Sequence, residues 1–217
     1  MNMEIKRTAN AGVLLRLDGK RILLDGVCRE IKPYLATPSH VRAELLKDMP
    51  DALLFTHVHE DHYDAAFVSE FLKNTAGPVM GPADIPCSGG DTLNLGSLRI
   101  TRITSRHIGK WQNMAHVSFI LEGSRCVWFL GDASPLQWKG KGALPKPDVV
   151  LAPYAYGMGN GLEILGQLGA QEVVLLHLPE RSNDPYGLWS AVESAIGQWD
   201  KGKVYILDME QTITIEG

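Results

Sequence analysis

Short apolar segments alternate with turn residues and with stretches of helical spacing along the first half of the chain. Residues 13–17 and 21–24 flank an Asp-Gly-Lys turn and predict a β-hairpin. The continuous apolar run at 52–56 predicts a strand that is buried on both faces. Residues 65–73 show helical spacing, whereas 98–104 alternate apolar and polar side chains as a half-buried strand does.

The second half of the chain repeats this order of elements. Residues 117–121 and 126–130 flank a Glu-Gly-Ser-Arg turn and predict a second hairpin, and 149–151 and 173–176 predict two further buried strands. The other predicted elements are helices at 41–47, 161–168 and 187–199, a loop with a short strand at 77–90, and closing strands at 203–207 and 211–215. The pattern predicts two similar βα halves in one α/β layered domain that spans residues 1–217.

Composition and charge narrow the class of protein. The chain has 217 residues, 45% of them hydrophobic and 21% charged, which is ordinary for one globular domain. Its formal net charge is 21 − 25 = −4, so bulk charge gives no support for nucleic acid as an obligate partner. A small-molecule substrate is therefore favoured over RNA.

The sequence also carries expectations about location. No apolar run approaches the roughly 20 residues that a membrane-spanning helix needs. Residues 1–7 are mixed in charge and show no secretory signal, and Cys28, Cys87 and Cys126 are scattered without a CxxC pair. We expect free thiols, no membrane span and a cytoplasmic location.

The segment with the most chemical information is Thr-His-Val-His-Glu-Asp-His at residues 56–62, directly behind the buried strand 52–56. Imidazole and carboxylate are ligands that zinc prefers, and they also suit iron and manganese. His57 and His59 are two residues apart, so in extended backbone they point to the same side and can hold one ion. A solvated, histidine-rich loop is the alternative, but three imidazoles and one carboxylate at this spacing favour a metal site.

Three more residues of metal-binding type follow predicted strands. His107 follows the strand that begins at residue 98, Asp132 follows 126–130, and His177 follows 173–176. Ligands of α/β proteins gather at the carboxyl ends of strands. The sequence therefore predicts that these side chains meet the 57–62 segment at one edge of the fold.

At this point the chain resembles a known family. His-Val-His-Glu-Asp-His matches the HxHxDH signature of the metallo-β-lactamase superfamily, and His107, Asp132 and His177 match its later ligand motifs in the same order. The resemblance covers almost the whole chain. It implies a four-layer αβ/βα sandwich with the metals at one edge, and a metal-dependent hydrolase.

The resemblance implies a role for each of seven residues. His57, His59 and His107 would hold a first metal, Asp61, His62 and His177 a second, and Asp132 would bridge the two, so that Asp61 and Asp132 belong to the catalytic centre. The cofactors would be two divalent ions, Zn²⁺ first and Mn²⁺ or Fe as alternatives. A water or hydroxide between them would be the nucleophile.

One ligand position has a competitor. His107 lies 25 residues before Asp132 (132 − 107), whereas His116 lies 16 before it (132 − 116) and enters the predicted hairpin strand. The family usually places this ligand in a loop before that hairpin, so we prefer His107. His116 is then a core histidine or a substrate-side group.

Two acidic residues near the ligands have alternative roles. Asp25 ends the strand 21–24, and in this family an acidic residue here commonly supports a ligand imidazole. Its alternative is a turn-forming role before Gly26. An aspartate at position 64 is similar to the pattern of the family branch that contains sugar-phosphate lactonases and N-acyl-phospholipid phosphodiesterases. Asp64 could equally cap the helix that begins at Ala65.

Candidate substrate contacts surround the predicted ligands. Arg106 and Lys110 flank His107 and could bind an anionic substrate, and Tyr154 follows the strand 149–151 at the same edge. With His116, these residues form the predicted substrate-binding set.

The expected reaction is hydrolysis of a small phosphodiester or related phosphate ester. The alternatives are a lactone or other cyclic ester, an iron-dependent redox reaction of the same superfamily, and metal binding without turnover. Because His59 and His62 are both present, the ligand set fits the hydrolytic pattern better than the diiron reductase pattern. The resemblance also allows a homo-oligomer.

Overall fold

The computed structural model of the chain describes residues 2–86, 90–139, 143–197 and 199–216. These residues form two β-sheets and four α-helices. The strands are β1 Met3–Arg7, β2 Val13–Leu17, β3 Lys20–Leu24, β4 Ala52–Leu54, β5 Val79–Met80, β6 Thr92–Leu95, β7 Leu98–Thr104, β8 Val117–Glu122, β9 Cys126–Phe129, β10 Val149–Pro153, β11 Glu172–Leu176, β12 Lys203–Ile206 and β13 Thr212–Ile215. The helices are α1 Ser39–Lys47, α2 Ala65–Asn74, α3 Gly161–Leu168 and α4 Leu188–Ile196.

The two sheets have related topologies. One has the order β13-β1-β2-β3-β4-β5 and the other β12-β11-β10-β9-β8-β7-β6. In each, an antiparallel hairpin leads into parallel strands: β2–β3 leads to β4 and β5, and β8–β9 leads to β10, β11 and β12. The carboxyl ends of the parallel strands of each sheet therefore lie at a common edge, where the loops to the helices begin.

Buried apolar side chains form three core clusters. Leu15 and Leu24 of the first sheet and Phe119 and Val174 of the second belong to one core cluster between the sheets. A second cluster joins the outer face of the first sheet to α1 and α2, and a third joins the outer face of the second sheet to α3 and α4. The result is a helix–sheet–sheet–helix sandwich, which confirms the predicted fold class.

The structure adds two strands that the apolar pattern did not predict. β1 buries Met3 and Ile5 but interleaves them with Glu4 and Lys6, and β6 is a short edge strand of mixed polarity. Tertiary pairing stabilises both, since β1 lies between β2 and β13. The predicted helix 187–199 is shorter, ending at Ile196.

For the described residues, the structure can be compared with the expectations about free thiols and membrane-spanning helices. Cys28 and Cys126 are free thiols, and Cys87 lies outside the described residues. Among the helices that the structure describes, none combines the length and the apolarity needed to span a bilayer.

A buried arginine joins distant segments next to the sheet edge. The Arg7 guanidinium donates to the carbonyl oxygens of Ala9 (3.2 Å), Asn10 (3.1 Å), Leu207 (2.7 Å) and Leu178. Burial lowers its pKa to about 10, so the group keeps its charge at neutral pH. Arg7 therefore holds the end of β1, the loop that follows β11 and the segment after β12 in one arrangement.

Replacing Arg7 by methionine is expected to lower the free energy of unfolding by about 3 kcal/mol, because buried carbonyl groups lose their donors. Urea unfolding of the metal-free protein measures this difference. Arg16→Met on neighbouring β2 is the matched control, since Arg16 is half exposed and its ion pair with Glu4 is at the surface. That control should cost under about 1 kcal/mol. Equal losses in both variants would contradict the role given to Arg7.

Candidate metal centre

All seven predicted ligands meet at the common edge of the two sheets. Strand β4 ends at Leu54, and the chain then turns through residues 56–62 before α2 begins. Asp64 caps α2, because its carboxylate accepts from the backbone N–H groups of Ala66 (2.8 Å) and Phe67 (3.2 Å). It also pairs with Arg42, so the structure gives Asp64 a capping role outside the ligand set.

A first group consists of three imidazoles. His57, His59 and His107 each offer one nitrogen within 4.8 Å of the others. His57 Nε2 and His59 Nδ1 are 3.0 Å apart, and His107 faces both rings from the loop behind β7. The His107 Nδ1–H donates to the carbonyl of Ile108 (2.7 Å), so Nε2 is the atom turned to the group.

A second group combines a carboxylate and two imidazoles. Asp61, His62 and His177 likewise bring one ligand atom each within 4.8 Å. His177 Nε2 lies 3.2 Å from Asp61 Oδ2. The backbone at His177 is held by its N–H bond to the Asn10 carbonyl (3.1 Å), and Asn10 in turn accepts from Arg7.

Asp132 lies between the two groups. Its Oδ2 is 3.6 Å from His107 Nε2 of the first group, and 3.6 and 3.4 Å from His62 Nε2 and His177 Nε2 of the second. A carboxylate that reaches both groups can be shared by two neighbouring cations. The resemblance implied such a bridging role for Asp132, and that role stays a prediction.

Several ligand atoms lack a hydrogen-bond partner although they are buried. These atoms are Nε2 of His62, His107 and His177, and Oδ1 of Asp132. Leaving buried polar atoms unpaired is costly, so a cluster of such atoms on residues of metal-binding type indicates a binding site. Imidazole nitrogen and carboxylate oxygen are donors for Zn²⁺, Fe and Mn²⁺, and the residues therefore fit a metal centre.

Asp25 controls the orientation of one imidazole in each group. Its carboxylate accepts from Thr56 N–H (2.7 Å), Thr56 O–H (2.6 Å) and His62 Nδ1–H (2.8 Å). Thr56 has given its only hydroxyl proton to Asp25, so its oxygen accepts from His57 Nδ1–H at 3.0 Å. Both imidazoles thus keep a proton on Nδ1, so Nε2 is the nitrogen turned to the centre and offers its lone pair whenever the ring is neutral. Although Asp25 lies near His57 and His62, these bonds occupy its oxygens and make it a support.

Unusual backbone conformations aim these side chains. Asp25 has φ 45° and His177 has φ 67°, and neither is a glycine. Such conformations cost energy and persist only where the surrounding structure enforces them. Gly131, with φ 53°, precedes Asp132, and a Cβ there would lie 2.4 Å from Thr56 Oγ1. The close approach of the β9 loop to Thr56 therefore requires glycine.

The pKa shifts at the centre bear on how its ligands would bind a metal ion. Burial would raise the pKa of Asp132, but the charges of His177 and His62 lower it well below its usual range. Burial lowers the pKa of His57, which keeps this imidazole neutral. Burial also lowers the pKa of His62, but Asp132 and Asp25 overcome that effect and raise it, so a proton competes with a metal ion for this position.

His116 lies beside the centre but belongs to neither group. Its Nε2 accepts from the backbone N–H of Asp132 (3.1 Å), and its Nδ1 lies 2.6 Å from Ser105 Oγ. Burial lowers its pKa to about 3, so the ring is neutral. Both nitrogens are occupied by the protein. His116 therefore holds the loop that carries Asp132, as a core histidine would, and its place in the substrate-binding set stays a prediction.

An open cleft of about 530 Å³ leads to the two groups. Its floor includes His59, Asp61, His107, Asp132 and His177, and its walls are largely apolar, formed by Ile31, Tyr34, Val58, Trp111 and Met114 together with Lys32 and Glu60. The apolar walls were missed in the sequence because they come from loops without periodicity. Thr56 was also missed, although it directly precedes the ligand motif.

The other predicted substrate contacts lie differently. Arg106 and Lys110 are exposed and are not among the described residues that line the cleft. The Lys110 ammonium lies 5.1 Å from the centre of the Trp111 ring. Tyr154 is half-buried, hydrogen-bonds Tyr34 and has its ring centre 6.3 Å from that of His177, so it lies near the centre.

A cavity of similar size, about 540 Å³, lies away from the metal centre between α1 and the first sheet. Charged side chains line it and pair with one another, including Lys6 with Glu44 and Arg21 with Asp48. The open cleft, by contrast, combines free volume with the ligand atoms of both groups.

Comparison with known proteins adds a family and several relatives. The sequence model of the family described as "Beta-lactamase superfamily domain" matches residues 4–177. A UPF0173 metal-dependent hydrolase of Thermoplasma acidophilum is 27% identical over 141 residues, which cover 57% of this chain and 61% of that protein.

Two solved structures have similar folds. A metallo hydrolase of Ignicoccus hospitalis has a TM-score of 0.65 and 20% identity, with all of both chains covered. CmlA, a diiron β-hydroxylase of Streptomyces venezuelae, has a TM-score of 0.64 and 16% identity, with 98% of this chain and 54% of that chain covered.

Proposed function

The chain belongs to the β-lactamase superfamily domain family, and on that premise we propose that it is a metal-dependent hydrolase of a small-molecule ester. The observation that carries the proposal is the pair of three-residue ligand groups that share Asp132. The name of the Thermoplasma relative, a metal-dependent hydrolase, supports the same reaction class.

We propose two ions as cofactors, Zn²⁺ first and Mn²⁺ or Fe as alternatives. His57, His59 and His107 would hold one, and Asp61, His62 and His177 the other. Such a pair of ions supplies an activated water and neutralises the negative charge that develops on the reacting group. The chain contributes neutral imidazoles in fixed orientation, an ionised Asp132 and a cleft that opens on one side.

A phosphodiester or related phosphate ester is the first substrate class to test, because paired metal sites commonly serve phosphoryl transfer. The cleft also favours a second candidate, a lactone or other carboxylic ester. Among its described lining residues Lys32 is the one cation, while Arg106 and Lys110 lie outside. A neutral ester needs no positively charged binding site, and apolar walls suit it.

The cytoplasmic location and the homo-oligomer stay predictions.

Metal analysis combined with a substrate panel tests the proposal. Protein reconstituted with Zn²⁺ or Mn²⁺ should bind about two ions per chain and hydrolyse bis(p-nitrophenyl) phosphate, a γ-lactone, or both. Chelation should abolish the activity, and returning the metal should restore it. Iron as the bound metal, with oxygen consumption and no hydrolysis, would move the function to the redox alternative. A chain that binds no metal would refute both.

A further inference from the structure

We propose that the mouth of the cleft is a binding subsite for a hydrophobic alkyl group, with Trp111 as its specificity-determining residue. The physiological substrate is then an ester that carries such a group next to the bond that is cleaved. This inference rests on the proposed hydrolase function and names the substrate class of the same site.

The cleft separates polar from apolar surface. The ligand residues in its lining form its polar part, which we call the floor. Tyr34, beside His177, and Ile31 are taken as one wall, and Trp111, beside His59, and Met114 as the other. Tyr34 stands at the border, because its ring meets His177 edge-on at 4.7 Å. A substrate whose reacting group is at the floor must therefore place its neighbouring atoms against apolar side chains.

Trp111 is the largest of these side chains and is unusually open to solvent. It is 49% exposed, although buried tryptophan surface is among the strongest hydrophobic contributions that a side chain makes. Its ring packs edge-on near His59, with 5.4 Å between ring centres. Ile31, on the opposite wall, is 45% exposed. Two exposed apolar side chains that face one cleft can both be covered by a single apolar ligand.

The Trp111 wall is held in place before any ligand binds. The 3₁₀ turn Gly109–Trp111 begins at a glycine with φ 70°, and the Met114 N–H donates to the Trp111 carbonyl at 2.9 Å. The Lys110 ammonium packs on the Trp111 ring. This contact helps to hold the indole in place, and 49% of the Trp111 surface stays open to solvent.

The opposite wall is also tied down. Ile31 and Tyr34 form a backbone pair with N–O distances of 3.1 and 2.8 Å, and Asn183 Nδ2 donates to the Pro33 carbonyl at 2.7 Å. At the base of this loop, Cys28 N–H donates to Thr37 Oγ1 at 2.9 Å. A cleft with two preformed walls binds a hydrophobic group without a large ordering cost.

The test compares esters that differ only in the length of one alkyl group. For lactones, the series is γ-methyl-, γ-butyl- and γ-hexyl-γ-butyrolactone. For phosphodiesters, it is methyl, butyl and hexyl p-nitrophenyl phosphate. With the metal-loaded protein, kcat/KM should rise about tenfold or more from methyl to hexyl, because the added methylenes leave water. Trp111→Ala should reduce this rise to under about threefold, and Trp111→Phe should keep most of it.

Leu72→Ala is the matched control, since Leu72 is an exposed apolar residue of α2 away from the cleft, with 42% of its surface open. It should keep the wild-type chain-length dependence. A flat series in the wild-type protein, or a steep series that Trp111→Ala leaves unchanged, would overturn the subsite.

A binding measurement separates this inference from the proposed function. Methylphosphonate and hexylphosphonate cannot be hydrolysed, and calorimetric titration of the metal-loaded protein compares their affinities. Hexylphosphonate should bind about tenfold more tightly, and Trp111→Ala should remove the difference. If no ester is cleaved but this difference persists, the hydrolase proposal fails and the subsite stands. Equal affinities would refute the subsite whatever the activity.

Discussion

Replacing Asp132 by alanine is expected to lower the hydrolytic rate of the metal-loaded protein by about 10³-fold or more. Loss of an outer partner of a ligand typically costs about 10–100-fold in metal affinity or activity, and Asp132 itself lies within reach of both groups. Its removal takes the shared carboxylate from both groups at once. kcat/KM on whichever ester the wild-type protein cleaves is the measurement.

His59→Ala should give a loss of similar size by a different route. His59 belongs to the first group alone and is only partly buried, so its replacement disturbs the folded chain less than a core substitution does. The metal content should fall towards one ion per chain. Together the two variants distinguish loss of the shared carboxylate from loss of one binding group.

His40→Ala is the control for both variants. His40 is exposed and pairs with Glu210 at 2.9 Å, away from the ligand groups. Its replacement should leave metal content and rate at the wild-type level. If Asp132→Ala kept more than about a tenth of the wild-type rate with both ions bound, the shared-carboxylate geometry would not be the basis of the activity.

The meeting of the seven predicted ligands at one edge could be anticipated because most of them follow a predicted strand, whereas the choice of His107 over His116 came from the family resemblance. His57 and His59 directly follow a continuous apolar strand, and Asp132 and His177 each follow another one. Parallel strands that end at one edge bring such residues together whatever the loop details are. The fold class was predictable as well, because apolar runs, hairpin turns and helical spacing are visible in both halves of the sequence. The two sheets with helices on their outer faces confirm it.

The cleft walls and the supporting contacts were not predictable in the same way. Ile31 and Trp111 are about 80 residues apart (111 − 31), and only the packing of two irregular loops brings them to one cleft. For His116, the role depends on which partner each ring nitrogen finds, and neither partner can be read from spacing. Nothing in the sequence around Arg7 marks this charged residue as buried. It is buried by segments that come together only in the folded chain.

Replacing Asp25 by asparagine is expected to weaken metal binding by both groups, by about 10–100-fold each. The variant keeps the volume of the side chain but turns one acceptor into a donor. With its oxygen facing the Thr56 N–H, its NH₂ faces Thr56 Oγ1 and His62 Nδ1, which must then accept.

The change of direction passes to both imidazoles. His62 must carry its ring proton on Nε2. Thr56 must donate its hydroxyl hydrogen bond to His57 Nδ1, so His57 must also carry its own ring proton on Nε2. Both rings would then present an N–H to the centre where a metal needs a lone pair. ¹⁵N chemical shifts of the histidines in the metal-free protein report this exchange directly, independently of activity.

Thr56→Val is the matched comparison, because valine has nearly the shape of threonine and keeps the backbone N–H bond to Asp25. It removes the link to His57 and leaves the Asp25–His62 bond in place. Titration with Zn²⁺ against a chromophoric chelator should therefore show one weakened site in Thr56→Val and two in Asp25→Asn. Two sites of wild-type affinity in Asp25→Asn would show that its carboxylate does not set the orientation of the ligands. Unfolding curves of both variants exclude a general loss of structure as the cause, because a destabilised fold would weaken both sites in Thr56→Val as well.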